Sequence, residues 1–135
     1  MQSATFTKAP KIGAGVFSAT KWSRDGLLLT GMVLTPSGGY AGIAIYDLAS
    51  ATATQLNSDG AGDVAWMPDN KRVVYFTKSG KLMIQDVKSL ERREIEIKLP
   101  LPPDEDFNIA TSPDGRAIYY GAQQVEANIW KATRK

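Results

Sequence analysis

The stretch TSPDG at residues 111–115 has two counterparts earlier in the chain, WSRDG at 22–26 and WMPDN at 66–70. The aspartates of the three stretches are separated by 44 and then by 45 residues. Aspartate followed by glycine or asparagine, between apolar runs, is typical of a tight hairpin turn because these residues tolerate a positive φ. Because the turn recurs at a nearly constant spacing, we interpret it as one part of an internal repeat.

Each turn is followed by a short apolar run and then by a second recurring segment. The apolar runs lie at 27–29, 73–76 and 118–120, and the second segments lie at 42–48, 81–87 and 127–132. Runs this short, bounded by turn residues, favour strands over helices. Even the best helix candidate, residues 88–98, contains apolar and charged residues that alternate with the period of a strand.

These segments predict an all-β chain of three four-stranded antiparallel meanders, which is the pattern of β-propeller blades. We interpret residues 1–135 as one partial propeller, with blades at about 13–57, 58–99 and 100–135. The predicted strands are 16–22, 27–33, 40–48 and 52–56 in the first blade, 62–67, 72–77, 81–87 and 92–98 in the second, and 107–111, 116–121 and 128–132 in the third. The third blade therefore lacks a candidate for its fourth, outer strand.

The composition argues against several kinds of function. The chain has 43% hydrophobic and 22% charged residues, which is typical of a globular protein. It contains no histidine and no cysteine, which excludes a Ser-His-Asp triad, a thiolate nucleophile and the usual zinc sites. Its net charge of +2 is too even for non-specific nucleic-acid binding, and no run of about 18 apolar residues is present to span a membrane. We therefore expect no enzyme activity, catalytic residue, cofactor, metal, nucleic-acid partner or membrane insertion.

Several residues suggest a functional role but have a simpler structural interpretation. The three repeated aspartates occupy one position of the repeat, so we interpret them as turn residues rather than as catalytic or metal-binding acids. The acidic run 104–106 lacks the spacing and the glycine of a calcium loop, and a solvated loop between blades fits it better. Trp22 and Trp66 occupy equivalent positions in the innermost strands, and we expect both to pack between blades.

The motifs SPDG at 112–115, IYDL at 45–48 and ANIW at 127–130 resemble TolB-type, WD-related propeller repeats. Such repeats occur in bacterial TolB, in prolyl oligopeptidase-like enzymes and in extracytoplasmic sensor regions of bacterial kinases. The resemblance covers roughly residues 16–132. Its motifs consist of hairpin and packing residues, so they specify a fold far more strongly than a function.

The resemblance implies a function but leaves alternatives open. It implies a non-enzymatic protein-interaction or scaffolding module of bacterial type, located in the periplasm or elsewhere outside the cytoplasm, although no signal peptide is visible in the chain. One alternative is an accessory domain or fragment of a larger enzyme, such as a prolyl oligopeptidase-like peptidase or another hydrolase. Further alternatives are a fragment of a bacterial sensor kinase and a partial propeller isolated for the study of assembly.

Three blades are too few to close a ring, since propellers typically have about 4–8 blades. Two copies related by a two-fold axis would give six, so we expect a homodimer unless the chain is a piece of a longer protein. Residues 4–8 alternate in the manner of a strand and have no partner in the first blade. We expect residues 2–8 to supply the missing outer strand of the third blade, in the partner chain.

We expect a protein or peptide ligand at the loops of one propeller face. The loops between successive blades share that face with the loops between the second and third strands of each blade. The candidate binding residues on these loops are Tyr40, Lys78, Asp106, Gln123 and Gln124. Propeller geometry alone selects them, because no motif in the sequence marks a ligand site.

Overall fold

A computed structural model describes residues 8–99, 108–123 and 127–133, and all regular secondary structure in these residues is β-strand. The first sheet contains β1 (Lys11–Ile12), β2 (Gly15–Trp22), β3 (Leu28–Leu34), β4 (Tyr40–Asp47) and β5 (Thr52–Asn57). The second contains β6 (Gly60–Trp66), β7 (Arg72–Thr77), β8 (Leu82–Asp86) and β9 (Arg92–Glu94), and the third contains β10 (Ile109–Thr111), β11 (Ala117–Gln123) and β12 (Ala127–Thr133). Every sheet is an antiparallel meander whose strands follow one another in chain order. The prediction of an all-β chain built from repeated meanders is confirmed.

Most strands lie within two residues of their predicted bounds, and two depart further from the prediction. β9 ends at Glu94 rather than at residue 98, because its partner β8 is only five residues long. The amide of Ile95 donates to the carbonyl of Leu82, the first residue of β8, at 2.8 Å, and there the ladder stops. β1 is not among the predicted strands; it pairs with the start of β2 through a turn in which Gly13 has a φ of 59°.

The third sheet has three strands in the part of the chain that the structure describes. This agrees with the absence of a fourth-strand candidate in the sequence of the third blade. The segment 2–8, which the sequence suggests as the missing strand, lies outside the described residues except for Lys8. Its role as that strand stays a prediction.

The turns of blades 1 and 3 share one hydrogen-bond pattern around the repeated aspartate. The Oδ1 atom of Asp25 accepts from the hydroxyl of Ser23 at 2.6 Å and from the amide of Leu27 at 3.1 Å. In blade 3, Asp114 Oδ1 accepts from the hydroxyl of Ser112 at 2.6 Å and from the next-but-one amide at 3.0 Å. The aspartates therefore hold hairpin turns together, as their recurrence in the sequence predicts.

The turn of blade 2 reaches the same shape with different residues. Met67 stands where the other turns have serine, so no hydroxyl is available to Asp69. Its carboxylate instead accepts from the amides of Lys71 and Arg72 at 2.9 and 3.1 Å, and from the Arg72 guanidinium at 2.7 Å. Asn70, which replaces the glycine, has a φ of 58°, a conformation that asparagine tolerates better than most residues.

The blades pack face to face through two apolar seams. The first seam buries Met32, Ile43 and Leu56 of blade 1 against Val64, Trp66, Val73, Tyr75 and Val87 of blade 2. The second seam buries Ala65, Met67, Val74, Phe76, Leu82 and Ile84 of blade 2 against Ile109, Ile118 and Tyr120 of blade 3. Alternate residues of β7 serve different seams, since successive side chains of a strand point to opposite faces. Blade 2 is therefore apolar on both faces.

The face of blade 1 that points away from blade 2, here named the leading face, lacks such a neighbour. Its apolar residues are Phe17, Val33 and Ala44, which are buried at 4%, 1% and 0% exposure, and Leu29 and Tyr46, which are only half-buried. Trp66 is 7% exposed in the first seam, whereas its equivalent in blade 1, Trp22, is 60% exposed. The expected packing between blades is confirmed for Trp66 and wrong for Trp22, because no blade covers the leading face within the described residues.

Candidate interaction surfaces

A salt bridge ties the innermost strands of all three blades together. The ammonium of Lys21 in β2 lies 2.8 Å from the carboxylate of Asp63 in β6 and donates to the carbonyl of Ile109 in β10 at 2.8 Å. The same carboxylate oxygen of Asp63 accepts from the amide of Ile109 at 3.1 Å, and the side chain of Asp63 is only 7% exposed. Both charges are therefore engaged within the protein, which makes this cluster a brace between blades rather than a ligand site.

A polar network crosses the first seam and links the fourth strand of blade 2 to its interior. The hydroxyl of Tyr75 donates to the side-chain oxygen of Gln85 at 3.1 Å and accepts from the guanidinium of Arg92 in β9 at 3.2 Å. Arg92 also donates to Asp59 at 2.6 Å, and Asn57 donates to Gln85 at 3.0 Å. Burial raises the pKa of Tyr75, and the hydrogen bonds to Asp59 and Tyr75 raise the pKa of Arg92. Every buried polar group named here has a partner.

Tyr120 is the counterpart of Tyr75 in blade 3, since each lies six residues after the repeated aspartate. Tyr120 is 2% exposed, and its hydroxyl has no hydrogen-bond partner among the described residues. Burial raises the pKa of Tyr120. This tyrosine therefore lacks the polar neighbours that satisfy its counterpart.

A cavity of about 780 Å³, here named the outer groove, lies between blades 2 and 3 beside Tyr120. Its apolar walls come from both blades. Its charged lining contains four cations and two carboxylates: Arg93, Lys98, Arg116, Lys131, Glu94 and Glu96. Ile95, Ile97 and Leu99, which follow β9, are half-buried against the second seam. The groove thus occupies the place beside β12 where a fourth strand of blade 3 would pack.

A smaller cavity of about 380 Å³ lies between the ends of the innermost strands and includes Trp22 and Lys21 in its lining. Its polar groups are largely used within the protein. Lys21 is engaged by the brace, and the guanidinium of Arg24 donates to the carbonyl of Pro113 at 3.3 Å. The hydroxyl of Thr111 donates to a main-chain carbonyl of the neighbouring blade at 2.7 Å. This arrangement fixes the turns of different blades against one another.

The five predicted binding residues receive different outcomes. Tyr40 begins β4 and packs half-buried against the first seam, while Lys78 is exposed in the turn between β7 and β8. Gln123 ends β11 opposite Ala127, and Asp106 and Gln124 lie outside the described residues. Tyr40 and Lys78 lie at corresponding ends of blades 1 and 2, as expected. The binding role of the five residues stays a prediction.

A repeated Thr-x-Ser-Gly turn between the second and third strands of blades 1 and 2 escaped the sequence reasoning. Thr35 and Ser37 in blade 1, and Thr77 and Ser79 in blade 2, have hydroxyl oxygens 2.9 Å apart in both cases. In each turn the threonine hydroxyl also accepts from the main-chain amide four residues later, at 3.0 and 3.1 Å. The shared spacing in the sequence is the signal that could have revealed this turn, which orders the loops near Lys78.

The described residues contain no helix long and apolar enough to cross a membrane. Within the same residues, no group of three or more acidic side chains is gathered closely enough to hold a metal ion. The surfaces that remain for interaction are the leading face, the outer groove and the loop face.

Comparison with known proteins finds similarity of structure but not of sequence. No protein-family model and no curated protein matches the chain. TolB from Acinetobacter baumannii matches with a TM-score of 0.66 at 15% identity, over 87% of this chain and 30% of that one. A chain of the mitotic checkpoint complex matches with a TM-score of 0.61 at 21% identity, over 90% of this chain and 37% of that one.

Prolyl oligopeptidase B from Galerina marginata, in its apo form, matches with a TM-score of 0.56 at 16% identity. That match covers 89% of this chain and 20% of the peptidase chain. The chain therefore spans less than two fifths of the length of each of these three structures, and identities this low concern the fold alone. The resemblance to TolB-type, WD-related propeller repeats is confirmed at the level of fold: the chain has the structure of consecutive β-propeller blades.

Proposed function

We propose that the chain is a non-enzymatic propeller module that binds protein and completes its ring with a second copy of itself. The observation that supports this most is the exposure of Trp22, with the partial exposure of Leu29, on the leading face. Leu29 is half-buried there, whereas its equivalents Val73 and Ile118 are 0% and 8% exposed between blades. Trp22 is exposed where its equivalent Trp66 is buried. An exposed tryptophan beside a half-buried leucine is an apolar surface that a partner can cover.

A second copy can cover the leading face because blade 3 also has a face that no neighbouring blade covers within the described residues. The face of blade 3 that points away from blade 2 carries Tyr119, which is 37% exposed and has the ammonium of Lys131 at 5.7 Å from its ring centre. A two-fold axis places the leading face of each copy against this face of the other, so one kind of contact covers all four surfaces. The product has six blades, within the usual range of about 4–8.

Two features of the composition and the contacts support a non-enzymatic role: the usual catalytic side chains are missing from the sequence, and the conspicuous acids bond within the protein. It has neither histidine nor cysteine, the side chains that most often act as general base or activated nucleophile. The conspicuous acids are used internally: Asp63 braces the blades, and Asp25 and Asp114 close turns. A second candidate, an accessory domain of a larger enzyme, is suggested by the structural similarity to prolyl oligopeptidase B. Peptidase or other hydrolase activity of the isolated chain would contradict the non-enzymatic role.

The mass of the protein in solution tests the assembly. We expect light scattering after gel filtration, at micromolar concentration, to give twice the chain mass of 14.6 kDa. Trp22→Lys should give a monomer that still unfolds cooperatively, because this side chain contributes little to the interior of its own copy. Leu90→Lys is the matched control: Leu90 is a 45% exposed apolar residue away from the leading face, and its variant should remain a dimer. A monomeric wild-type chain would refute the proposed assembly.

A further inference from the structure

The free edge of β12 is a place where the third blade can accept another strand. In blades 1 and 2, the third strand is paired on both sides, because β5 and β9 add antiparallel to β4 and β8. In blade 3, β12 pairs with β11 on one side and has no neighbour on the other within the described residues. An unpaired strand edge presents a row of main-chain donors and acceptors that readily bind an extended segment.

The two equivalent tyrosines show what such a segment has to provide. The hydroxyl of Tyr75 receives one hydrogen bond from Arg92, which belongs to the fourth strand of its blade, and gives one to Gln85. In blade 3, the register of β11 and β12 puts Ala132 in the place that Gln85 has in blade 2. Tyr120 therefore lacks both partners that Tyr75 has. Alanine replaces the glutamine, and no fourth strand within the described residues supplies a side chain equivalent to Arg92. A buried hydroxyl without a partner is destabilising, so a strand with a polar side chain opposite Ala132 would be favoured.

The outer groove defines the remaining chemistry of the segment. Its apolar walls, which include Ile95, Ile97 and Ile118, fit apolar side chains at alternate positions of a strand. Four cations, which include Arg93 and Arg116, and two carboxylates also line it, so the lining has an excess of two positive charges. One of the carboxylates, Glu94, is already paired with Lys81 at 3.4 Å, and Arg116 also interacts with the exposed Asp114. The excess of positive charge favours carboxylates on the segment that binds there.

From this we infer that the outer groove binds an extended, acidic segment of a partner protein, which adds antiparallel to β12 as the fourth strand of blade 3. The inference names the kind of partner and rests on the proposed role in protein binding. The segment carries apolar residues at alternate positions, one uncharged polar side chain that reaches Tyr120, and carboxylates that face Arg93 and Arg116.

The chain's own segment 2–8 is the competing occupant, and its charge argues against it. It contains Lys8 and no carboxylate, so it adds a further cation to a groove that already has an excess of positive charge. An acidic segment neutralises that excess. Charge complementarity therefore selects a foreign strand over this one.

The experiment uses the full chain and a fluorescent eight-residue peptide with isoleucine, glutamine and isoleucine at alternate positions and glutamates between them. We expect saturable binding, measured by fluorescence anisotropy, that weakens as salt rises. Tyr120→Phe should weaken binding about three- to tenfold through the lost hydrogen bond, without lowering the stability of the free protein. Arg93→Gln combined with Arg116→Gln should weaken it about tenfold or more, while the control Lys88→Gln, at an exposed residue outside the groove, leaves it unchanged.

Three control peptides separate strand addition from other binding. A scrambled peptide of the same composition, and one methylated on the amides that would pair with β12, should both bind at least tenfold more weakly. Equal binding of either, or no binding of the designed peptide, overturns the inference. Tighter binding of a peptide of residues 2–8 also overturns it and assigns the groove to the chain's own strand. If the protein is a dimer but binds no acidic peptide, the proposed assembly stands and this inference fails. If the protein is a monomer that binds the peptide, this inference stands and the proposed assembly fails.

Discussion

Replacement of Asp63 by asparagine tests whether the brace at the innermost strands holds the blades together. The carboxylate accepts charge-assisted hydrogen bonds from Lys21 and from the buried amide of Ile109, at 2.8 and 3.1 Å. Removal of one partner from a buried ion pair typically costs about 3–5 kcal/mol. The side chain of Lys21 is 35% exposed, so water partly compensates its charge and the expected loss falls to about 2–3 kcal/mol. For a chain of this length, such a loss lowers Tm by roughly 6–12 °C.

Equilibrium unfolding in urea, followed by tryptophan fluorescence, measures this loss. The matched control is Glu94→Gln, which removes an exposed ion pair with Lys81 whose atoms are 3.4 Å apart. Exposed pairs of this kind contribute about 0–1 kcal/mol, so the control should remain close to wild type. A double-mutant cycle of Asp63→Asn with Lys21→Met should give a coupling free energy of about 1–2 kcal/mol. If the Asp63 variant loses no more stability than the Glu94 variant, the brace does not have the role assigned to it.

Three further predictions concern the turns and the polar network. Hydrogen bonds from a serine hydroxyl and from main-chain amides lower the pKa of Asp25 and of Asp114 in the folded state. The stability that these bonds contribute is therefore complete above the ordinary pKa of 3.8 and is lost as pH falls through the lower pKa values of the folded state. Urea midpoints measured between pH 7 and pH 2 should show this decline, and Asp114→Asn should make it shallower; an unchanged slope would contradict the argument. Gln85→Leu should lower the free energy of unfolding by about 2–4 kcal/mol, because it leaves the buried Tyr75 hydroxyl without its acceptor and removes two bonds to main-chain carbonyls; urea unfolding with a loss below about 1 kcal/mol would count against the network. Leu90→Asn should raise Tm, because Leu90 has a φ of 64° in an exposed turn and asparagine tolerates this conformation better by about 0.5–1 kcal/mol. A lower Tm would show that leucine is not strained in this turn.

The repeated turns made most of the fold predictable from the sequence. Asp25, Asp69 and Asp114 act through bonds to residues within three positions, so their role is visible in a local pattern. The apolar runs between the turns likewise report which residues become strands. Strand ends were less predictable: β9 stops where β8 has no more residues to pair with, and a single segment does not reveal the length of its partner.

The features that support an interaction surface depend on contacts distant in sequence. Lys21 reaches Asp63 across 42 residues, and nothing local to either residue announces the pairing. The exposure of Trp22 was also not predictable from the sequence. Trp22 has the same position in blade 1 that Trp66 has in blade 2, and the two differ only because no blade lies beside Trp22. By contrast, the equivalence of Tyr75 and Tyr120 is visible in the spacing of the sequence. Only the structure shows that the hydroxyl of Tyr75 has a hydrogen-bond partner and that the hydroxyl of Tyr120 has none within the described residues.

The brace has a consequence for the way in which the blades unfold. In a linear array, each unit is usually coupled only to its immediate neighbours, so the end units open first and independently, like the terminal repeats of a solenoid. Lys21 departs from that scheme, since it bonds to the carbonyl of Ile109 two blades away. Opening of either end unit therefore breaks a contact made by the other end. Amide hydrogen exchange should consequently show blades 1 and 3 losing protection together, as a single cooperative unit, and Lys21→Met should separate them into two.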